Sequence, residues 1–290
     1  MSKERLMDFK EISLDGLTPF AKGATGECYR IEEDKIVKLY YDGFPKERVL
    51  QEKKNAKTAF VAGISTPISF ELVFADGRFG IIYELIGAKT ISEVLQLCPH
   101  EAEEIGRKIG ILAKKLHKVN VNDFDFPKST EKIAKALPYA KYLDGNTRDN
   151  VEKFMLRLDM CQGYVHGDFH TNNIMMVKDE MMLIDMGSFS IGSPLFDLAV
   201  MHFSFFDSPE SCVGDISQFN GLTRHVREAV WKSFIDEYFI DSSQIEKQEQ
   251  MQTLDKVIAL IKLRYEALYG SKASEDYCKK VREEILVKFK

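Results

Sequence analysis

The sequence predicts an α+β chain of two lobes, a small antiparallel-sheet lobe with one helix followed by a larger, mainly helical lobe. Three observations carry this. Roughly the first ninety residues alternate apolar and polar in short runs separated by turn residues. From about Ile91 the apolar residues recur at helical spacing instead. A polar stretch, Tyr164 to Val177, interrupts the helices and leads into one short strand. The boundary falls between 1–87 and 88–290, with the joint near residues 84–87.

Taken in order, residues 27–31 and 35–41 read as two antiparallel strands around the turn Glu32-Glu33-Asp34. Pro45 suits a first helical turn, and the helical pattern that follows stops at Gly63. Strands over 68–74 and 79–86 flank a turn at 75–77. Ile105, Ile109, Leu112, Leu116 and Val119 then recur at spacings of four, three, four and three, the stripe of an amphipathic helix. Further helices are expected over 130–143, 147–161, 222–239, 251–269 and 275–288, with a strand over 181–185.

Composition narrows the function classes. A hydrophobic fraction of 44% across 290 residues supports a substantial core. The net charge is -5 and the basic residues are dispersed, which argues against a nucleic-acid partner. Five cysteines, Cys28, Cys98, Cys161, Cys212 and Cys278, are scattered and odd in number, so they read as reduced thiols. The N-terminal stretch is charged and lacks an apolar leader, and runs such as 257–261 fall well short of the ~20 residues that span a bilayer. The expectation is a cytoplasmic protein, monomeric or weakly dimeric, with no membrane partner.

Four elements carry the chemistry. Lys22-Gly-Ala-Thr-Gly-Glu-Cys-Tyr29 places Gly23 and Gly26 where a turn opens a strand, so its amides can approach phosphate oxygens. The plain alternative is a hairpin turn. Lys38 lies on the otherwise apolar stripe Ile36, Lys38, Tyr40, where an unpaired ammonium is costly. An edge-strand lysine is the plain alternative there. Glu52 shares a helix face with Val49, Ala56 and Phe60, which suggests a buried pair with Lys38; a solvated glutamate is the alternative. Lastly, Asp168 is followed five residues later by Asn173 and seventeen later by Asp185, which ends an apolar strand just before Met186-Gly187. An amide oxygen and a carboxylate are hard ligands suited to Mg²⁺, and Asp168 can accept a proton from a hydroxyl during in-line attack.

At this point the sequence resembles a known family. His166-Gly-Asp-Phe-His-Thr-Asn-Asn173, Ile184-Asp-Met-Gly187 and Gly192-Ser-Pro-Leu-Phe-Asp-Leu198 look like the aminoglycoside phosphotransferase and choline kinase family, which has the protein-kinase-like fold. The resemblance covers most of 15–205 in motif order. It implies a phosphotransferase moving the γ-phosphoryl of ATP or GTP, with Mg²⁺, to a hydroxyl of a small molecule. Asp168 would be the catalytic base, and Asn173 and Asp185 the metal ligands. Lys38, oriented by Glu52, would hold the α- and β-phosphates beneath the loop of Gly23 and Gly26. Glu84 and Ile86 would meet the base as a hinge, and His166 and Asp197 would brace the catalytic loop. The resemblance leaves His170 between packing and a phosphate contact. Two positions depart from the family pattern: Ser188 stands where a second acid is common, and Ser193 interrupts the usual Gly-Asp-Pro.

Other classes fit less well. A pseudokinase scaffold would be expected to lack a metal ligand or the lysine, and neither is missing. Only eleven residues separate Asp185 from Asp197, too few for the platform on which protein kinases hold a peptide. A metal hydrolase built on His166, Asp168 and His170 leaves Lys38, Glu52 and Asp185 without roles. Within the kinases, aminoglycoside, choline, sugar and amino-alcohol acceptors remain open, as does ATP against GTP.

Overall fold

The computed structural model describes residues 9–121, 126–161, 163–211 and 215–290. Cys212 and the first eight residues lie outside that set. The fold is mixed α+β and its contacts divide into two compact units, 1–88 with 175–188, and 89–174 with 189–290. Residues 175–188, which the sequence groups with the helices, thus belong by contact to the sheet unit.

The first unit is built on a six-stranded sheet, β1 (Lys10–Glu11), β2 (Ala21–Lys22), β3 (Gly26–Arg30), β4 (Lys35–Tyr40), β5 (Ser69–Ala75) and β6 (Arg78–Glu84), in the order β1-β5-β6-β4-β3-β2. The four long strands pair antiparallel, as alternation predicts; the added β1 pairs parallel with β5. Helix α1 (Lys46–Val61) covers one face and follows Pro45. On that side Tyr40, Val49, Ile81 and Phe9 form a core, while Val37, Leu39, Val73 and Ile82 fill the opposite face with Leu14 and Tyr29. This is the period-two division that a strand imposes. A hairpin of strands Ile174–Val177 and Glu180–Leu183 leads to a tight turn at Met186–Ser188 that packs on α1.

The second unit holds α2 (Ile91–Leu97), α3 (Ala102–His117), α4 (Glu131–Ala134), α5 (Gly145–Leu158), α6 (Leu195–His202), α7 (Arg224–Tyr238), α8 (Gln244–Tyr269) and α9 (Glu275–Lys288). Strand β7 (Gly163–Val165) pairs antiparallel with β8 (Ser190–Gly192). The central contact is α3 on α7. A Cβ at Gly106 would lie 2.5 Å from the Val230 carbonyl, and one at Gly110 would lie 2.8 Å from Glu237 Cβ. Two glycines four apart therefore let the helices approach closely enough to bring His117 and Tyr238, their last residues, within 2.8 Å.

Two helices differ from expectation. The one expected over 130–143 ends at Ala134 and gives way to a 3-10 turn, Leu137–Tyr139, because Pro138 has no amide to continue the ladder. The one expected from Met251 starts at Gln244, where Ser243 and Glu246 form a reciprocal capping box.

Candidate active site

In the sheet unit, β4 is an interior strand between β3 and β6, which removes the edge-strand reading of Lys38. Its Nζ lies 2.8 Å from Glu52 Oε1 and 3.1 Å from Asp185 Oδ1. The lysine is deeply set, 14% exposed, and its ammonium sits 5.2 Å from the centre of the Tyr40 ring. Burial alone would depress its pKa, but Glu52 and Asp185 outweigh burial and hold it above the ordinary lysine value. Glu52 takes a second bond from the Tyr83 hydroxyl at 3.2 Å, and burial together with that carboxylate raises the phenol's pKa. Tyr83 was legible only as a strand aromatic, and its tie to Glu52 came from no sequence signal.

Asp185 itself has φ +63, a left-handed conformation rare outside glycine. Among the described residues only Oδ1 of its carboxylate is taken, by Lys38 and the Gly187 amide, and the side chain is more than a third exposed. In the glycine turn, Gly23 N–H donates to the Gly26 carbonyl at 2.9 Å, while the Ala24 and Thr25 amides have no hydrogen-bond partner among the described residues. Gly26 is required by close approach, since a Cβ there would run into the Leu39 carbonyl. Past β6, the Leu85 amide is bonded to the Asp34 carbonyl, and the Ile86 amide has no partner among the described residues. Glu84 spends its carboxylate on the Ile68 amide at 3.2 Å.

The helical unit gathers the other candidates. Asn173 Nδ2 donates to both the backbone carbonyl and the Oδ2 of Asp168, each at 3.0 Å. A carbonyl only accepts, so the amide orientation is fixed and Asn173 Oδ1 points elsewhere. Asp197, fully buried, accepts from the His166 amide at 2.8 Å and the Gly167 amide at 2.7 Å, and faces His117 Nε2 at 3.1 Å. Gly167 turns with φ +74, and the Asp168 amide donates to His166 Nδ1 at 3.2 Å. The chain His117, Asp197, His166, Asp168 is thus continuous, and His117 entered it unannounced by any motif. His170 stands edge-on to Phe219, with Nε2 3.5 Å from Asp168 Oδ1. Desolvation would raise the Asp168 pKa, but His170, with His166 and Lys132 behind it, holds the carboxyl well below the usual range. Asn172, legible as a turn residue, donates to the Phe219 carbonyl at 3.0 Å.

A family model described as the phosphotransferase enzyme family matches residues 16–230, a span that includes every one of these side chains. The chain belongs to that family. No curated protein matches the sequence of this phosphotransferase-family chain. Solved structures match its fold at low identity. The ADP-bound aminoglycoside phosphotransferase APH(2'')-Ib is 15% identical with a TM-score of 0.55, covering 98% of this chain and 95% of its own. Choline kinase from Cryptosporidium parvum Iowa II is 14% identical with a TM-score of 0.57, at 94% and 88% coverage. A choline/ethanolamine kinase family protein from Mesorhizobium loti is 16% identical with a TM-score of 0.57, at 95% and 90%. No helix among the described residues is long and apolar enough to cross a membrane.

Proposed function

We propose that this member of the phosphotransferase family is a small-molecule kinase that transfers the γ-phosphoryl of ATP or GTP to a substrate hydroxyl. The observation that carries the reading is Lys38, a deeply set lysine held between Glu52 and Asp185 on the strand next to the glycine turn. A buried pair adds little net stability, so its retention points to a task. That task is to hold an ammonium at one fixed position against the phosphates. The unpartnered amides of Ala24 and Thr25 face the same task, and the Ile86 amide with the Glu84 segment supports a hinge that meets the nucleotide base.

In this reading Asn173 and Asp185 would hold Mg²⁺, an ion that keeps several waters and needs few protein ligands. When bound, it neutralises charge developing on the phosphate oxygens. Asp168 then orients the acceptor hydroxyl. Its carboxylate accepts the hydroxyl proton as the oxygen bonds to phosphorus. Asp197 and His166 keep Asp168 aimed through backbone amides.

The test is Asp168→Asn in a nucleoside-diphosphate release assay over a panel of amino alcohols, sugars and aminoglycosides. Turnover should fall on the order of 10²- to 10⁴-fold, with Mg²⁺-dependent nucleotide binding retained. Turnover at the parent's rate would exclude Asp168 as the base.

A further inference from the structure

The turn that carries Asp185 is gripped by α1 at a second point. Asn55, one turn beyond Glu52, is 1% exposed and donates through Nδ2 to the Met186 carbonyl at 2.8 Å. Its Oδ1 accepts from Gln51 Nε2, also at 2.8 Å, so both ends of the amide are committed. On the other side of Asp185, the Leu183 amide donates to the Ser65 carbonyl at 2.9 Å. Asp185 is therefore held two residues before and one residue after its own Cα. Between those tethers it adopts φ +63, a conformation that persists only where neighbours over-determine it. The fit leaves no slack, because a Cβ at Gly187 would lie 2.8 Å from Glu52 Oε2. An asparagine is a poor choice for a helix interior on propensity alone, and a buried amide is tolerated only with its partners in place.

We propose that Asn55 is a positioning residue for Asp185, holding the Met186 carbonyl and with it the direction in which Asp185 presents its carboxylate to Mg²⁺. The proposal rests on the reading of Asp185 as a metal ligand. The proposed role acts through the bond from Asn55 to the Met186 carbonyl. An asparagine that merely tied helix to turn would affect stability and leave metal affinity alone. A positioning asparagine separates the two.

The experiment is calorimetric titration of ADP into the full-length protein, in EDTA and across a Mg²⁺ series. Asn55→Ala should raise the Mg²⁺ concentration that half-maximally tightens ADP by about tenfold, the scale of lost outer-shell support at metal sites. ADP affinity in EDTA should not change, while amide exchange over 184–188 should accelerate. Gln51→Ala keeps the donor but removes the bond to Asn55 Oδ1, and should shift the midpoint about threefold in the same direction. If Asn55→Ala does not fold, Gln51→Ala alone decides. A Mg²⁺ midpoint equal to the parent's in a folded variant, or equal losses of ADP affinity in EDTA and Mg²⁺, would overturn the role of Asn55. A parent whose ADP affinity ignores Mg²⁺ would instead overturn Asp185 as a ligand, and the role of Asn55 with it.

Discussion

Lys38 Nζ lies 2.8 Å from Glu52 Oε1 and 3.1 Å from Asp185 Oδ1, so the lysine has two carboxylates and Glu52 has one cation. That asymmetry predicts unequal mutants. Lys38→Met leaves Glu52, 5% exposed and bonded by the Tyr83 hydroxyl, without its cation and should cost about 3 kcal/mol. Glu52→Gln leaves Lys38 bound to Asp185 and should cost about 1 kcal/mol. Urea denaturation of both checks the order, and a larger loss for Glu52→Gln would contradict it.

The two glycines of the turn should separate in the same way. Gly26→Ala drives a methyl into the Leu39 carbonyl and should destabilise by about 2 kcal/mol. Around Gly23 the nearest atom to a new Cβ is the Gly26 carbonyl at 3.8 Å, so Gly23→Ala should melt with the parent. Any loss of nucleotide affinity in Gly23→Ala then reports approach of phosphate to the turn rather than folding. Differential scanning fluorimetry with and without ADP reads both.

Glu27 gives a pH dependence of known sign. Lys22 at 2.9 Å, the Tyr29 hydroxyl at 2.8 Å and Arg78 at 3.1 Å lower its pKa from 4.5 to about 2. A folded-state pKa below the unfolded one means the contribution is complete above 4.5 and is lost as pH falls toward 2. The stability difference between the parent and Glu27→Gln should therefore shrink over that window and stay constant above pH 5. A difference that grows on acidification would refute the assignment.

Asp197 uses both oxygens on backbone amides, those of His166 and Gly167. Asp197→Asn has a single carbonyl oxygen, so one amide of His166 or Gly167 would face an NH₂ group. The expected cost is about 2 kcal/mol, with kcat reduced and nucleotide affinity little changed. Urea titration and steady-state kinetics would check it, and an undiminished kcat would show that the loop holds without it.

The sequence made some of this legible and hid the rest for physical reasons. Alternation in β4 and the face of α1 placed Lys38 and Glu52 inward, because strand and helix periods are local. The sheet order could not be read, since β1 and β2 are two residues each and carry no period. Asn55 carried no signal in the sequence, because the turn at Met186, far along the chain, supplies the acceptor for its amide. Gly106 and Gly110 did carry a signal, two small residues four apart beside an apolar stripe, and it was the packing partner α7 that gave it meaning. Pro138 and the Ser243–Glu246 box were local signals that the apolar period overrode. The Asp168–Asn173 spacing was visible at once, whereas His117 meets Asp197, 80 positions further along the chain, only in the folded helical unit.

The division of the sheet unit into 1–88 and 175–188 has a consequence for biosynthesis. When Ala88 leaves the ribosome, Asn55 has no Met186 carbonyl to bind and Lys38 has only one of its two carboxylates. The missing piece lies a hundred residues downstream, about 5–20 s of translation at ordinary rates. During that interval the nascent sheet holds a buried amide without its acceptor, so the N-terminal lobe cannot be finished first. It waits for the chain to return.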